Sequence, residues 1–213
     1  MIGRREPDWD GLRARMVERQ LRGRGIADER VLGAMGRVPR EAFVPIDVAR
    51  YAYDDAALPI GEDQTISQPY IVATMCELLE LEGGESVLDV GTGSGYAAAV
   101  LDELAGRVVS MERIPVLASR ARRALELTGH GDVEVRVGDG SLGAPDRAPF
   151  DAISVAAATE HVPSALYEQL APGGRMVLPV GGSGGQRLVR IERGEAGPVE
   201  TGSLACRFVP LVK

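Results

Sequence analysis

The 213-residue sequence is poor in cysteine and aromatic residues and has no long apolar run. Its two cysteines, Cys76 and Cys206, lie far apart and show no CxxC or Cys/His ligand spacing. That arrangement argues against a zinc site and a disulfide framework. No stretch approaches the ~18 continuous apolar residues of a membrane span, and residues 1–9 lack the apolar core of a signal peptide. We therefore expect a cytoplasmic protein without a metal ion or a membrane partner.

Positive charge is also scarce, because 31 acidic residues outnumber 24 basic ones and give a net charge of -7. Proteins that bind nucleic acid usually have a basic surface, so nucleic acid is not expected as a partner. An acidic substrate is still possible, since a local site can oppose the net field. The length suits one domain, and we expect a monomer. Its expected parts are a substrate-side extension (1–80), a cofactor-binding core (81–180) and a C-terminal hairpin (181–213).

The first part of the chain has the pattern of short helices separated by turns. Apolar residues recur at helical spacing over residues 9–21, and Asp28 can cap a second helix. A short turn then buries Phe43. Residues 51–63 show no sustained period and predict an extended or looped connection. Ser67 can cap the next helix.

From residue 86 onward, short β-rich runs alternate with helical segments. This alternation predicts an α/β fold with a doubly wound, mainly parallel, Rossmann-like sheet. Residues 187–192 and 204–211 leave no room for a helix between them, so they predict an antiparallel hairpin. Residues 181–186 predict a flexible loop. The other strand candidates are 86–90, 107–111, 133–137, 151–156 and 175–180, and the helix candidates are 96–104, 115–127 and 163–170.

A glycine-rich turn follows the first of these strands, in the segment VLDVGTGSGY (87–96). Gly91, Gly93 and Gly95 permit tight turning and let a ligand approach the backbone. A dinucleotide fingerprint GxGxxG would need glycine at position 96, where Tyr96 stands. The GxGxG spacing therefore favours S-adenosyl-L-methionine over NAD.

Acidic residues follow the ends of successive strands. Asp89 would repel a pyrophosphate but can engage the ammonium of a methionine moiety. Glu112 can accept hydrogen bonds from both ribose hydroxyls, and Asp139 can contact the adenine edge. The plainer alternatives are that the glycine-rich loop is only a structural turn, that Glu112 starts a helix and that Asp139 forms a turn. The predicted cofactor-binding residues are Asp89, Gly91, Thr92, Gly93, Glu112, Asp139 and Gly140.

Further motifs extend the pattern over nearly the whole chain, namely VPREAFVP (38–45), LPIG (58–61), QTISQPY (64–70), APFDAI (148–153) and RFVPLV (207–212). Together with the glycine loop, they closely resemble bacterial protein-L-isoaspartate O-methyltransferases, which are class I S-adenosylmethionine-dependent enzymes. The resemblance implies methyl transfer to the free carboxylate of an L-isoaspartyl residue, with S-adenosyl-L-homocysteine as the other product. Isoaspartyl-containing proteins and peptides would be the partners, and the ester would lead to repair through a succinimide.

The resemblance also implies which residues meet the substrate. Ser67 matches the functional serine of the family, Thr65 supplies a second hydroxyl, and Val209 belongs to the substrate-binding terminal motif. These hydroxyls can aim a carboxylate oxygen at the sulfonium methyl. The alternative is that Ser67 only caps its helix, which is worth about 1 kcal/mol, and that Thr65 is a β-favouring linker residue.

Two segments depart from the family pattern. The segment VAAATEHVP (155–163) replaces a threonine and a proline pair, and Glu62 and Asp63 add negative charge that could disfavour acidic peptides. His161 in the first segment is read as a surface residue and His130 as a favourable charge at a helix end. Alternative functions are a relative that esterifies an ordinary aspartate in one dedicated peptide, a dinucleotide-dependent oxidoreductase, and a non-catalytic cofactor-binding module.

Overall fold

The computed structural model describes residues 7–182 and 184–211, so Val212, the last residue of the terminal motif, lies outside the described residues. The α-helices are α1 (Trp9–Arg15), α2 (Glu29–Arg37), α3 (Pro69–Leu79), α4 (Tyr96–Asp102), α5 (Pro115–Leu127) and α6 (Ser164–Tyr167). The strands are β1 (Leu58–Gly61), β2 (Gln64–Ile66), β3 (Ser86–Val90), β4 (Arg107–Glu112), β5 (Glu134–Val137), β6 (Phe150–Val155), β7 (Leu170–Gly182), β8 (Gly185–Gly194) and β9 (Gly197–Cys206).

The main sheet has seven strands in the order β5-β4-β3-β6-β7-β8-β9. Its first five strands are parallel, whereas β8 and β9 are antiparallel to their neighbours. This topology confirms the predicted doubly wound sheet with a C-terminal antiparallel hairpin. The strand order reverses at β3, and ligands of open α/β sheets bind at the carboxyl ends of the strands beside such a switch point.

Helices cover the sheet on both faces, as the burial of β3 shows. Val87 and Leu88 point to opposite faces and are both fully buried. Val87 belongs to a core shared with α2, α3, α4 and the N-terminal helices, and Leu88 belongs to a second core that includes Phe150 and Leu166. A central parallel strand that is apolar on both faces requires this double cover. No helix within the described ranges has the length and apolarity needed to cross a bilayer.

The N-terminal helices follow the sequence prediction with one refinement. α1 continues into a wider π-helical turn over Met16–Leu21, in which Met16 and Leu21 are fully buried. The Asp28 side chain caps α2 by accepting hydrogen bonds from the N–H groups of Arg30 and Val31. Phe43 is buried after a short 3-10 turn.

The extended or looped connection predicted over 51–63 contains a strand in its second half, and β1 pairs with β2 in an antiparallel hairpin that the sequence did not predict. Glu62 and Asp63 form the tight turn with φ of 53° and 55°. Asn-Gly is the usual sequence signal for such a turn, so an acidic pair does not predict it. Pro59 is compatible with the hairpin because both strands belong to a separate two-stranded sheet with open edges.

Ser67 does not cap α3, so the prediction that Ser67 is the helix cap is wrong. The helix starts at Pro69, its N-cap residue is Gln68, and no side chain makes a capping hydrogen bond. Proline at the first helical position disfavours helical backbone in the residue before it, and Gln68 is extended with ψ of 137°. The Ser67 hydroxyl is thus not engaged as a helix cap. The helix predicted over 163–170 shortens to the four residues of α6.

The C-terminal strands are longer and lie earlier than predicted. Residues 181–186 were expected as a loop, but Gly181 pairs with Gln186 and Gly182 with Gly185 in the β7–β8 hairpin. The last strand is β9, Gly197–Cys206, rather than 204–211. The terminal tail, residues 207–211, leaves the sheet and crosses the carboxyl ends of the parallel strands. Sequence periodicity missed this because the tail alternates apolar residues without pairing as a strand.

Candidate cofactor and substrate site

A cavity lies at the carboxyl ends of β3, β4 and β6, where the topology places a ligand. Most of the predicted site residues line this cavity, and they come from five segments of the chain. They are Thr65, Ser67, Gly91, Thr92, Gly93, Glu112, Gly140 and Val209. Asp89 and Asp139 are not among the residues that line it. Residues that the sequence did not suggest also contribute to the wall, among them Arg113 and Ile114.

The glycine-rich loop adopts backbone conformations that favour glycine. Gly91, Gly93 and Gly95 have φ of 97°, 53° and 92°. The N–H groups of Gly91 and Thr92 both donate to the carbonyl of Met111, at 2.9 and 3.1 Å, so the loop is tied to the end of β4. The loop thereby presents its backbone, without Cβ atoms at alternate positions, to the cavity.

Glu112 is held rigidly at the end of β4. Its two carboxylate oxygens accept hydrogen bonds from the N–H groups of Gly93 and Ile114, both at 2.8 Å, and only 6% of the residue is exposed. Each oxygen still has a free lone pair for a ligand hydroxyl. On the adjoining wall, a Cβ added to Gly140 would lie 2.6 Å from Cγ1 of Val90, so only glycine fits there.

Asp89 lies beneath the loop and is fully buried. Its Oδ2 accepts a hydrogen bond from the Ser110 hydroxyl at 2.6 Å, and that hydroxyl is 2.5 Å from the hydroxyl of Thr92. Burial raises the pKa of Asp89 to about 6, against the Ser110 hydrogen bond that lowers it, and the charge of Glu112 raises it further. Asp89 therefore reaches the cavity only through Thr92, and its direct contact with an ammonium stays a prediction.

Asp139 acts as a local turn former, which was the plainer interpretation of this residue. Its Oδ1 accepts a hydrogen bond from the Ser141 N–H at 2.9 Å and so caps the short 3-10 helix that starts at Gly140. Its neighbour Gly140 lines the cavity and Asp139 does not. A contact between Asp139 and an adenine edge stays a prediction.

A second cavity of about 500 Å³ opens beside the first. The two share Thr65, Ser67, Ala156 and Val209, so the hydroxyls of Thr65 and Ser67 lie on the boundary between them. Thr65 is exposed and Ser67 is half-buried. The site thus has a compartment at the glycine loop and a compartment beside the terminal tail, with two hydroxyl groups where they meet.

The terminal tail is held by the segment that departs from the family pattern. The Ala158 N–H donates to the Val209 carbonyl and the Leu211 N–H donates to the Ala158 carbonyl, both at 2.8 Å. His161 in the same segment is exposed, as expected, and lines neither cavity. His130 differs from its simple interpretation, because it is buried and its Nδ1 lies 2.9 Å from Oδ2 of Asp102.

Arg40 is the structural residue that the sequence did not reveal. It is fully buried, and its guanidinium donates to the carbonyls of Ala52 at 2.7 Å and Ser67 at 2.8 Å. The guanidinium also lies 4.8 Å from the centre of the Tyr96 ring, which follows the glycine loop. Burial lowers the pKa of Arg40 to about 10, so it remains charged at neutral pH. The position of Arg40 between Pro39 and Glu41 in the motif VPREAFVP gave no local signal of its burial.

Removal of the Arg40 guanidinium is expected to destabilise the fold. Arg40→Met would leave two buried carbonyl groups without charged donors, which should lower the free energy of unfolding by about 3 kcal/mol or more. Urea denaturation measures the change. The control is Arg50→Met, because Arg50 is exposed and contacts only the ring of Tyr51. Equal stability of the two variants would contradict the structural role of Arg40.

Asp89 is expected to make stability depend on pH. Its pKa of about 6 in the fold lies above the ordinary 3.8, so folding disfavours its ionised form. The contribution of Asp89 to the free energy of unfolding should therefore fall as pH rises from about 4 to 6 and then level off. The difference between the two pKa values corresponds to roughly 3 kcal/mol.

Asp89→Asn should lose this dependence. Its melting temperature should therefore rise relative to that of the unsubstituted protein as pH increases from 4 to 6, and the difference should stay constant above pH 6. Ser110→Ala removes the hydrogen bond that favours the ionised carboxylate of Asp89. The pH at which stability levels off should therefore be higher in this variant. A constant difference between Asp89→Asn and the unsubstituted protein from pH 4 to 8 would show that Asp89 does not titrate in this range.

Comparisons with known proteins identify the family of this chain. The family model described as Protein-L-isoaspartate(D-aspartate) O-methyltransferase (PCMT) matches residues 13–213. A protein-L-isoaspartate O-methyltransferase 1 from Rhodopseudomonas palustris (strain HaA2) is 56% identical over 202 residues, which cover 94% of this chain and 82% of that relative. A protein-L-isoaspartate O-methyltransferase from Methanoculleus marisnigri (strain ATCC 35101 / DSM 1498 / JR1) is 55% identical over 202 residues, covering 94% of this chain and 91% of the relative.

Solved structures of protein-L-isoaspartate O-methyltransferases have the same fold as this chain. A protein-L-isoaspartate O-methyltransferase structure superposes with a TM-score of 0.85 at 29% identity and covers 94% of this chain and 66% of that chain. A second, from Plasmodium falciparum in complex with S-adenosyl-L-homocysteine, has a TM-score of 0.82 at 23% identity over 97% of this chain and 99% of that chain. The likeness at this low identity concerns the fold. The matched family and the close relatives show that this chain belongs to the protein-L-isoaspartate(D-aspartate) O-methyltransferase family.

Proposed function

We infer that this chain transfers a methyl group from S-adenosyl-L-methionine to the free carboxylate of L-isoaspartyl residues in proteins and peptides. The observation that carries the proposal is the position of Thr65 and Ser67 on the boundary of two cavities. One cavity has the glycine loop and Glu112, and the other has room for a peptide. Family membership supports the same reaction.

The first cavity fits the proposed cofactor in its donor set. Glu112 offers two fixed oxygens to a ribose diol, and Gly140 packs so closely against the Val90 side chain that a Cβ would not fit at this position of the wall. Arg113 is the single cation among its lining residues, and no cluster of basic side chains is present there for a pyrophosphate. We propose that Gly91, Thr92, Gly93, Glu112 and Gly140 hold S-adenosyl-L-methionine, with Asp89 acting through Thr92 and Asp139 placing Gly140. When bound, this cofactor supplies a methyl group on a positively charged sulfonium.

The role of the chain on the substrate side is to orient a carboxylate. Thr65 and Ser67 can each donate a hydroxyl hydrogen bond to its oxygens, and Val209 covers them from the terminal tail. A carboxylate with an ordinary pKa near 4 is already ionised at neutral pH, so the reaction needs no general base. Orientation and removal of water are then the main contributions, and well-oriented reactions gain on the order of 7 to 11 kcal/mol in favourable cases. The ester can then cyclise to a succinimide without an enzyme residue.

The fixed backbone at Ser67 supports this role. Its carbonyl is bound by the buried Arg40, and Ser67 does not cap α3, so the hydroxyl is not spent on the helix. The N–H groups at the start of α3 lie just after Ser67 and add a positive partial charge that favours an anionic ligand. A rigid hydroxyl beside this partial charge can hold a carboxylate in one orientation.

We also propose that the chain acts as one unit, with 1–80 and 181–213 enclosing the cofactor-binding core 81–180. Contacts between these parts support it: two nitrogens of Arg190 on β8 bind the carboxylate of Glu80, both at 2.9 Å, and the tail binds Ala158. A cytoplasmic location and a monomeric state remain predictions. The net charge of -7 supports the expectation that nucleic acid is not a partner.

The proposal predicts selective methylation of isoaspartate. With labelled S-adenosyl-L-methionine and two peptides that differ only in isoaspartate or aspartate at one position, label should enter the isoaspartyl peptide alone. Ser67→Ala should reduce kcat about 10-fold or more, because a misplaced carboxylate loses orientation, while the free energy of unfolding changes by less than about 1 kcal/mol.

The control for this substitution is Ser119→Ala, on the exposed side of α5, which should keep full activity. Label in the aspartyl peptide alone would favour the relative that esterifies ordinary aspartate, and label in neither would overturn the proposal. If Ser67→Ala lost activity only in proportion to its stability, the functional assignment of Ser67 would fail.

A further inference from the structure

We propose that Arg207 determines the charge preference of the enzyme for residues beside the isoaspartate, by binding an acidic group of the substrate in the second cavity. The inference rests on the proposed function and adds the class of peptide that the site selects. It concerns a residue in the terminal tail that the catalytic assignment does not use.

Among the residues that the structure describes, Arg207 is the one charged residue that lines the second cavity. The other residues that line it are small, apolar or neutral, namely Ala57, Thr65, Ser67, Gln68, Ile71, Ala156, Ala205, Cys206, Phe208 and Val209. The Arg207 side chain is exposed, so its attraction for an acidic group is that of a partly solvated ion pair and weakens as salt rises. Charge selection by the described lining of this cavity therefore comes from Arg207.

The guanidinium of Arg207 is free to bind a ligand. It has no hydrogen bond or ion pair with any residue in 7–182 or 184–211, and the side chain is exposed. The backbone beside it is fixed, because the Phe208 N–H donates to Gln186 Oε1 at 2.6 Å and Gln186 Nε2 donates to the Phe208 carbonyl at 3.1 Å. Other exposed arginines, such as Arg22 and Arg147, bind carboxylates of the chain itself.

The position of Arg207 indicates which carboxylate it binds. Thr65 and Ser67 line both cavities, whereas Arg207 lines only the second. The reacting carboxylate must meet the cofactor cavity, so it belongs to the two hydroxyl groups. The ligand of Arg207 is therefore a different acidic group, such as a glutamate or aspartate side chain of a neighbouring residue in the bound peptide.

The acidic pair at the β1–β2 turn lies outside both cavities. Glu62 and Asp63 are exposed and line neither cavity. Water around both side chains weakens their interaction with a bound peptide. The sequence alone suggested that these residues disfavour acidic peptides. The cation inside the cavity predicts the opposite preference.

The test compares isoaspartyl peptides that carry Glu, Gln or Lys at each of the two positions on either side of the isoaspartate. At low salt and for at least one position, the Glu peptide should exceed the Lys peptide by roughly threefold to fivefold in kcat/KM, chiefly through KM, as expected for a partly exposed ion pair. The advantage should shrink as salt rises.

Three variants identify the source of the preference. Arg207→Gln should abolish the Glu-to-Lys ratio, and Arg207→Lys should keep much of it. Arg123→Gln makes the same change in net charge on exposed α5, away from both cavities, and should leave the ratio unchanged. An equal ratio in Arg207→Gln and the unsubstituted enzyme, or a preference for Lys, would overturn the proposal. Failure to methylate every isoaspartyl peptide is a separate result, which contradicts the proposed function itself.

Discussion

The buried guanidinium of Arg40 is the interaction on which the site depends. It binds the carbonyl of Ser67 and the carbonyl of Ala52, and it lies against the ring of Tyr96 at the start of α4. The substrate-side segment and the cofactor loop come from separate parts of the chain, and this one charged group contacts both. A buried charge is costly unless its donors are satisfied, and Nη1 of Arg40 has no hydrogen-bond partner among the described residues, so loss of either carbonyl contact would leave the charge still less compensated. The hydrogen bond to its carbonyl holds the Ser67 backbone in place.

The doubly wound sheet supplies the other half of the site. Glu112 and the glycine loop meet because β3 and β4 are parallel neighbours, and the reversal of strand order beside β3 opens a crevice between β4 and β6. The terminal tail then covers this crevice through its hydrogen bonds to Ala158. In the proposed function, the N-terminal extension and the tail orient the substrate carboxylate, whereas the sheet and its loops bind the cofactor. This division explains how one common fold can serve a substrate as specific as an isoaspartyl carboxylate.

Local sequence patterns predicted the sheet well and the substrate side less well. β3 and α5 have the predicted bounds, because a continuous apolar run and a proline at the first helical position are strong local signals. The β1–β2 hairpin was missed since its turn uses Glu62 and Asp63, and the path of the tail depends on distant contacts. Arg40 was missed for the same reason, because its partners are 12 and 27 residues away. Asp89 shows a third limit: its strand position was predicted correctly, but its burial under the loop follows only from the packed structure.

The most direct test of the central claim locates the transferred methyl group. A peptide that contains isoaspartate, aspartate, glutamate and a free C-terminus offers four kinds of carboxylate to the same enzyme. Tandem mass spectrometry of the methylated product identifies which one carries the ester. Because we propose that Thr65 and Ser67 hold one carboxylate at the boundary of the two cavities, we predict an ester on the isoaspartyl carboxylate alone. Esters spread over the other carboxylates, or present only on aspartate, would contradict the account.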